Sequence, residues 1–296
     1  MLGEILTITA ALCWAIGASL YKRSLLSVRP VTLNLFRSIS ATIYAFLVLY
    51  LLGKWSLLFD LDMTSLVYIG FSSLLVLVVG DILYFIGLKS VGVSKTVPIA
   101  YSYSIFVAII SIIFLGESLT APILLGTATV VLGIWLVAGQ VENEVSKMEH
   151  QKLGVLAAVG TALCWACGVA IFKIILANTD PFLLASVRMV FLLPVLGALT
   201  VLPFGTKSSI RHLTRFNILT MFLSGLVAIG VGDTFYLIGL DTTEANVVAP
   251  LASTTPLFAV IIAISFLKEE ISKRVVVGTF LVTAGIMLLT LEQMIL

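Results

Sequence analysis

Four charged residues lie deep inside apolar stretches of this chain, where a charge is costly. Arg37 and Asp81 occur in the first half, and Arg188 and Asp233 occur in the second. A charge inside a membrane span costs about 2.5–3.5 kcal/mol on insertion scales, so it usually faces a partner or a cavity. Counted from the helix ends, each Arg–Asp set shares a layer about 10 Å deep, one set near each side of the membrane. Such a layer forms either a gate that opens when the aspartate is protonated or a static ion pair between two helices.

These charges belong to a repeated sequence. The segment ALCWA at 11–15 recurs at 162–166, and the pattern GDxxY at 80–84 recurs at 232–236. The offset is 151 residues for the first segment and 152 for the second, which one inserted residue between Arg188 and Gly232 explains. Two copies of one pattern predict two copies of one structural unit, with a shared site between them.

The composition predicts a membrane protein. Of the 296 residues, 60% are apolar and 11% are charged, whereas a soluble domain has about 25% charged residues. The net charge of +2 gives no reason to expect a nucleic acid partner. The three cysteines lie in apolar stretches, so we expect neither a disulfide framework nor a metal site. The chain lacks a phosphate-binding loop and the hydrolase and metalloprotease motifs, so we expect no enzyme activity, no cofactor and no direct use of ATP.

Ten apolar stretches are long enough to span a bilayer, which takes about 20 residues. A polar run from Val141 to Lys152 divides them into five and five. We therefore predict a first five-helix repeat at 1–141, a surface linker at 142–152 and a second repeat at 153–296. The predicted spans are 4–22, 31–52, 64–88, 95–116, 121–139, 153–174, 181–203, 216–240, 246–267 and 274–292.

The basic residues predict the orientation of these spans. Most Lys and Arg residues fall in alternate connections, beginning with the one between spans 1 and 2, whereas the other side holds only Lys54 and Lys173. The positive-inside rule places the basic side in the cytoplasm and both termini outside. Because each repeat has an odd number of spans, the second must enter the membrane inverted relative to the first. We therefore predict an all-α membrane protein of ten transmembrane helices, built as two inverted repeats around a central cavity.

Aromatic and hydroxyl side chains supply candidate contacts for a ligand. Trp14 and Trp165 lie near the middle of spans 1 and 6, where they either line a cavity and stack on a flat or cationic ligand or pack between helices. Prolines break spans 4 and 9 next to hydroxyl groups, which is typical of cavity-lining helices but also of kinked helices whose hydroxyls bond back to the backbone. The hydroxyl groups chosen as candidates are those of Tyr101, Tyr103, Thr254 and Thr255.

Further candidates follow from position relative to the charges. Tyr84 and Tyr236 come three residues after Asp81 and Asp233, so each either donates a hydrogen bond to its aspartate or simply packs beside it. Lys22 and Lys173 end spans 1 and 6 and add positive charge near the cavity mouths.

Glycines spaced one heptad apart, at 126 and 133 and again at 278 and 285, predict close helix approach. This approach occurs either within one chain or at a dimer face, so the sequence leaves open a monomer or a homodimer.

The segments Trp14 to Lys22 and Trp165 to Lys173 are followed by Arg37 in the first copy and by Arg188 in the second. Leu115-Gly116-Glu117 precedes the glycines of the first copy, and Leu267-Lys268-Glu269 stands at the equivalent place in the second. The order and spacing of these motifs resemble the drug/metabolite transporter superfamily, in particular its ten-span members with two EamA domains. The resemblance implies a transporter of small metabolites, usually an exporter and often driven by an ion gradient, but fixes no substrate and implies no family role for Asp81 or Asp233.

We predict a secondary transporter in the plasma membrane that exports a small polar or amphipathic metabolite, such as an amino acid, by alternating access. Proton coupling would act through the aspartates. One alternative is an uncoupled facilitator or exchanger, and another is a lipid-handling or structural membrane protein. The expected partners are a small-molecule substrate, the bilayer and protons.

Overall fold

Helices form every regular element that the structure describes. The structure is a computed structural model that describes residues 2–103, 106, 121–138, 145–201, 213–242, 248, 251–252, 254–268 and 271–295. In chain order the helices are α1 Leu2–Leu25, α2 Pro30–Leu51, α3 Met63–Val91, α4 Val93–Ala100, α5 Ala121–Ala138, α6 Val145–Leu176, α7 Pro181–Val201, α8 Arg215–Thr242, α9 Thr255–Leu267 and α10 Lys273–Ile295. A short 3-10 helix, Trp55–Phe59, lies between α2 and α3.

Six of these helices are long and apolar enough to cross a membrane, namely α1, α2, α3, α6 from His150 onward, α7 and α8. Helix α9 is a shorter apolar helix, and α5 and α10 occupy the spans predicted at 121–139 and 274–292. The spans predicted at 95–116 and 246–267 extend outside the described residues. Glu117 and Glu269 also lie outside the described residues. Helix α6 begins at Val145, so the segment predicted as a linker is helical from that residue on.

The outer faces of the helices are apolar. Large side chains such as Ile43, Phe71, Leu156, Leu219 and Phe280 are each more than half exposed. A surface of this kind is unfavourable in water but matches lipid tails, whereas the helical backbone satisfies its own polar groups. The chain is therefore a multi-pass integral membrane protein.

Helix starts coincide with residues that satisfy free backbone N–H groups. Asp62 precedes α3 and accepts hydrogen bonds from the Thr64 and Ser65 amides, and Thr214 accepts one from Asn217 at the equivalent start of α8. Helices α2 and α7 both begin with proline, whose fixed φ angle suits a first helical position. The two repeats thus begin matching helices with the same local chemistry.

A π-helical segment precedes each intramembrane aspartate. It covers Leu74–Gly80 in α3 and Gly225–Gly232 in α8, and the regular helix resumes at Asp81 and Asp233. Such segments often occur at functional sites because the wider turn shifts the side chains that follow.

The two repeats contact each other through exchanged helix pairs. Helix α1 packs on α8, α6 packs on α3, and α2 packs on α7. Glycines permit the first two contacts, since an added Cβ at Gly17 would lie 2.5 Å from the Ala228 Cβ, and one at Gly168 would clash with Val76. The buried side chains of both repeats therefore form a common interior, with Ala15, Ala162 and Ala228 in one cluster.

The heptad-spaced glycines join α5 to α10 within one chain. A Cβ at Gly133 would lie 2.7 Å from the Gly278 oxygen, and one at Gly285 would lie 2.8 Å from the Gly126 oxygen. These contacts are backbone on backbone and reciprocal between the two repeats. They settle the role of these glycines in favour of packing within the chain.

We expect Gly133→Ala and Gly285→Ala each to lower the melting temperature of the detergent-purified protein, because the helices must separate to admit the methyl group, at a cost of about 1–3 kcal/mol. Gly197→Ala in α7 is the matched control, since nothing lies within 4 Å of its added Cβ. Alanine favours the helix by roughly 1 kcal/mol over glycine. A fall in melting temperature for Gly197→Ala equal to that of Gly133→Ala would contradict the packing assignment.

Candidate functional site

A cavity lies between the two repeats, and both sets of intramembrane charges line it. About 110 Å³ is open to the centres of water-sized spheres, well above the roughly 10–15 Å³ that one water needs. Arg37, Asp81, Arg188 and Asp233 share its wall with Trp14 and Trp165. The remaining lining residues are mostly aromatic or aliphatic: Tyr21, Val76, Leu77, Tyr84, Tyr101, Tyr103, Val169, Phe172, Ala228, Ile229, Tyr236 and Leu237.

In the first repeat, the Arg37 guanidinium has a partner at every nitrogen. Nη2 donates to Asp81 Oδ2, Nη1 donates to the Tyr21 hydroxyl over 3.0 Å, and Nε donates to Asn34 Oδ1 over 2.9 Å. The Phe85 ring lies 4.7 Å from the guanidinium carbon, close enough for a cation–π contact. The arginine and aspartate side chains are 2% and 5% exposed. The buried pair joins α2 to α3, and each guanidinium nitrogen donates a hydrogen bond to a group of the first repeat.

In the second repeat, the equivalent pair has fewer partners. Arg188 Nη2 donates to Asp233 Oδ2 over 2.8 Å, but its buried Nε has no hydrogen-bond acceptor among the described residues. Phe172 stands where the first repeat has Tyr21, and Ala185 stands where it has Asn34. Neither side chain can accept a hydrogen bond from the guanidinium. Asp233 is also the more exposed aspartate, at 13%.

Each tryptophan lies against the aspartate of the other repeat. Trp14 Nε1 donates to Asp233 Oδ1 over 2.9 Å. Asp81 is the acceptor within reach of the buried Trp165 Nε1, although no hydrogen bond of regular geometry forms between them. Gly80 and Gly232 admit these rings, since an added Cβ would lie 3.1 Å from Trp165 Nε1 at the first and 3.2 Å from Trp14 Nε1 at the second.

The tyrosines of the site pack on the tryptophans. The Tyr84 ring centre lies 5.2 Å from that of Trp165, and the Tyr236 ring centre lies 5.0 Å from that of Trp14. Tyr101 lies between both tryptophans, at 6.1 and 5.6 Å. The hydrogen bonds described at Asp81 and Asp233 come from Arg37, Arg188 and Trp14. Tyr84 and Tyr236 thus pack on the tryptophans, and the Tyr236 hydroxyl hydrogen-bonds to Tyr103 rather than to Asp233.

Three predicted contacts do not line the cavity themselves, although Thr255 hydrogen-bonds to the side chain of Tyr101, which does. The hydroxyls of Thr254 and Thr255 donate to the carbonyl oxygens of Leu251 and Ala252, both over 2.7 Å, and so bond back to the preceding turn. Lys22 Nζ donates to the Leu88 carbonyl oxygen over 2.8 Å, which fixes the end of α3. The Lys173 side chain lies outside the described residues.

Sequence reasoning missed the residues around Arg37. Asn34 accepts from Arg37 Nε and donates to the Leu77 carbonyl oxygen over 2.6 Å, in the π-helical part of α3. Asn34 lies three residues before Arg37, on the same helix face, and a buried amide in an apolar span is itself unusual. The position of Asn34 in an apolar span and its replacement by Ala185 in the second copy are both visible in the sequence.

Known proteins resemble this chain along its whole length. The model of the EamA-like transporter family matches residues 1–139 and 152–291. An uncharacterized transporter of Archaeoglobus fulgidus is 30% identical over 295 residues, covering 99% of this chain and 100% of that protein. The uncharacterized transporter YvbV of Bacillus subtilis is 26% identical over 224 residues, 72% of this chain and 70% of that protein. One crystal structure shares the fold, with a TM-score of 0.71 at 17% identity over 98% of both chains.

We expect Trp14→Phe to lower the melting temperature more than Trp165→Phe does. Both substitutions keep an aromatic ring and remove an indole N–H, but of the two only the Trp14 N–H makes a hydrogen bond of regular geometry to an aspartate. A hydrogen bond to a charged group contributes about 1.5–3 kcal/mol. Thermal unfolding of the two purified variants in one detergent provides the comparison. Equal losses would show that the Trp14–Asp233 bond adds nothing to stability.

Proposed function

The chain belongs to the EamA-like transporter family, and we propose that it is a secondary transporter that exports a small polar or amphipathic metabolite by alternating access. The observation that carries this proposal is the cavity between the repeats, which holds two Arg–Asp pairs inside an otherwise aromatic and aliphatic wall. Charged groups at membrane depth usually mark a substrate or ion pathway. Sites at a repeat interface are typical of secondary transporters.

Contacts between connections support the inverted arrangement of the repeats. Asn217 Nδ2 donates to Ser27 Oγ over 3.0 Å, which joins the start of α8 to the connection between α1 and α2. Lys54 Nζ donates to Asp180 Oδ2 over 2.5 Å, which joins the connection between α2 and α3 to the one between α6 and α7. In each case the first helix connection of one repeat meets the second connection of the other. Inverted repeats produce this pattern, and we propose ten spans with both termini outside the plasma membrane.

The cavity wall suits a substrate with a polar group on an apolar or flat body. The formal charges of its two arginines and two aspartates cancel, so a neutral or zwitterionic molecule adds no uncompensated charge. The tryptophan and tyrosine rings offer stacking surfaces and cation–π contacts. An amino acid fits this description. Transport is coupled to protons if an aspartate takes up a proton while the cavity is open to one side of the membrane and releases it while the cavity is open to the other.

The inverted topology predicts opposite sidedness for equivalent connections. Leu26 and Ala177 are equivalent exposed positions, as are Met63 and Arg215. We expect single cysteines at 177 and 63 to react in intact cells with a membrane-impermeant maleimide, and cysteines at 26 and 215 to react only after permeabilisation. The parent for these variants lacks Cys13, Cys164 and Cys167. Equal accessibility of the two members of a pair would contradict inversion.

The proposed activity predicts a ligand that binds in the cavity and crosses the membrane. We expect one class among amino acids, nucleotides, sugar phosphates and organic cations to raise the melting temperature of the purified protein, because a ligand that binds the folded state stabilises it. Trp14→Ala should remove the shift by opening the cavity wall. The same compound should exchange across proteoliposomes, faster with an imposed proton gradient if transport is coupled.

Exchange (counterflow) at a rate that does not change with the proton gradient would favour an uncoupled facilitator. Absence of a shift and of counterflow with all four classes would contradict the proposal and favour the lipid-handling or structural alternative.

A further inference from the structure

The two Arg–Asp pairs differ in a way that separates their roles. Arg37 uses every guanidinium nitrogen on groups of its own repeat, whereas Arg188 leaves its Nε without an acceptor among the described residues. The Arg188 side chain is 3% exposed and lines the cavity. A buried donor without an acceptor is costly, and a charged donor more so, unless water or a ligand in the cavity supplies the acceptor.

A second buried donor borders the same cavity. Trp165 Nε1 makes no hydrogen bond of regular geometry and reaches only Asp81, and the Trp165 ring forms part of the wall. Both groups are donors, and Arg188, the one with no acceptor, is cationic. A ligand that completes them must present acceptor oxygens, and a carboxylate gives the strongest partner for a guanidinium.

The second repeat is also built to let Arg188 change partners. Nε and Nη2 lie on one edge of the guanidinium, and each can donate a hydrogen bond in that direction. Asp233 accepts only the bond from Nη2. Asp233 keeps a hydrogen bond from Trp14 through its other oxygen, so it remains anchored when Arg188 releases it. Phe172 contacts the guanidinium only through its ring, 5.3 Å from the guanidinium carbon, and neither Phe172 nor Ala185 accepts a hydrogen bond from it.

We propose that Arg188 binds the carboxylate of the substrate through Nε and Nη2 in exchange for Asp233, which takes up a proton so that the cavity gains no unpaired charge, while Arg37–Asp81 remains a fixed structural pair. The substrate class is an organic carboxylate whose apolar or aromatic body packs on Trp14, Trp165 and Tyr101. This inference rests on the proposed function. It assigns the carboxylate contact to the arginine of the second repeat alone, although the repeated sequence has an equivalent arginine in both repeats. Trp165 donates to a second acceptor of the substrate when one is present.

The test is equilibrium binding of three probes to the purified protein by isothermal titration calorimetry. Phenylacetate carries the carboxylate, phenylacetamide is its neutral counterpart, and phenethylamine is a cation on a similar ring. We expect phenylacetate to bind at least about 10-fold more tightly than either other probe, because only its carboxylate pairs with a guanidinium.

Two variants address Arg188 without removing its positive charge. Arg188→Lys keeps the charge but loses the two-donor edge, and Ala185→Asn places at Arg188 the residue that satisfies Arg37 in the first repeat. Each should weaken phenylacetate binding by about 10-fold or more. The reciprocal control is Asn34→Ala, which should lower the melting temperature by freeing Arg37 Nε and yet not weaken phenylacetate binding. Because Arg188→Lys and Ala185→Asn act at different residues, one folded variant is enough for the comparison.

The outcomes separate this inference from the proposed function. Phenylacetate binding that survives Arg188→Lys and Ala185→Asn overturns the role of Arg188. Tighter binding of phenethylamine, lost in Trp14→Ala, overturns the carboxylate class and leaves a transporter whose cavity takes cations. No binding of any of the three probes also overturns the inference, and the ligand screen then decides the proposed function separately.

Discussion

Charged side chains in an apolar interior must each have an opposite charge or a hydrogen-bond partner, and the structure is organised around four of them. Arg37 with Asp81 and Arg188 with Asp233 are the intramembrane pairs, and all four side chains line one cavity. An isolated buried charge would cost far more than a helix contact returns. The positions of α2, α3, α7 and α8 are therefore tied to the need to bring each arginine to its aspartate.

The glycines and π-helical segments explain how the helices come close enough for this pairing. Gly80 and Gly232 each directly precede an aspartate and admit the tryptophan of the other repeat. Gly17 and Gly168 likewise let α1 and α6 pack closely against the π-helical segments of the other repeat. Each repeat thereby completes the charged site of its partner, so neither half has an intact site alone. The proposed substrate site is therefore shared by both repeats, as alternating access requires.

Much of this organisation follows from the sequence because duplication reveals it. The apolar spans predict the helices, and the EamA resemblance drawn from the motifs is confirmed by the family match. The positions of Arg37 and Asp81 in one layer follow from counting residues, since helix rise is constant. The structure pairs them as that layer suggests, whereas the gating roles stay predictions.

Other features could not be predicted, for physical reasons. The bond from Trp14 to Asp233 joins residues 219 apart, and residue spacing along one helix carries no information about which helix of the other repeat it contacts. The π-helical segments have no residue signature that sets them apart from an α-helix of apolar residues. For Thr254 and Thr255 the sequence allowed both cavity lining and back-bonding, and the structure shows the backbone bond. The difference between Asn34 and Ala185 was visible, but its meaning required knowing that both residues lie beside an arginine.

The most direct test of this account is a structure of the protein determined with phenylacetate bound in the cavity. The account predicts the ligand carboxylate on Arg188 Nε and Nη2, Asp233 held by Trp14 alone, and Arg37 still bonded to Asp81, Tyr21 and Asn34. A ligand carboxylate on Arg37, or an Arg188–Asp233 pair left intact beside a ligand bound elsewhere, would contradict the division of roles between the two repeats.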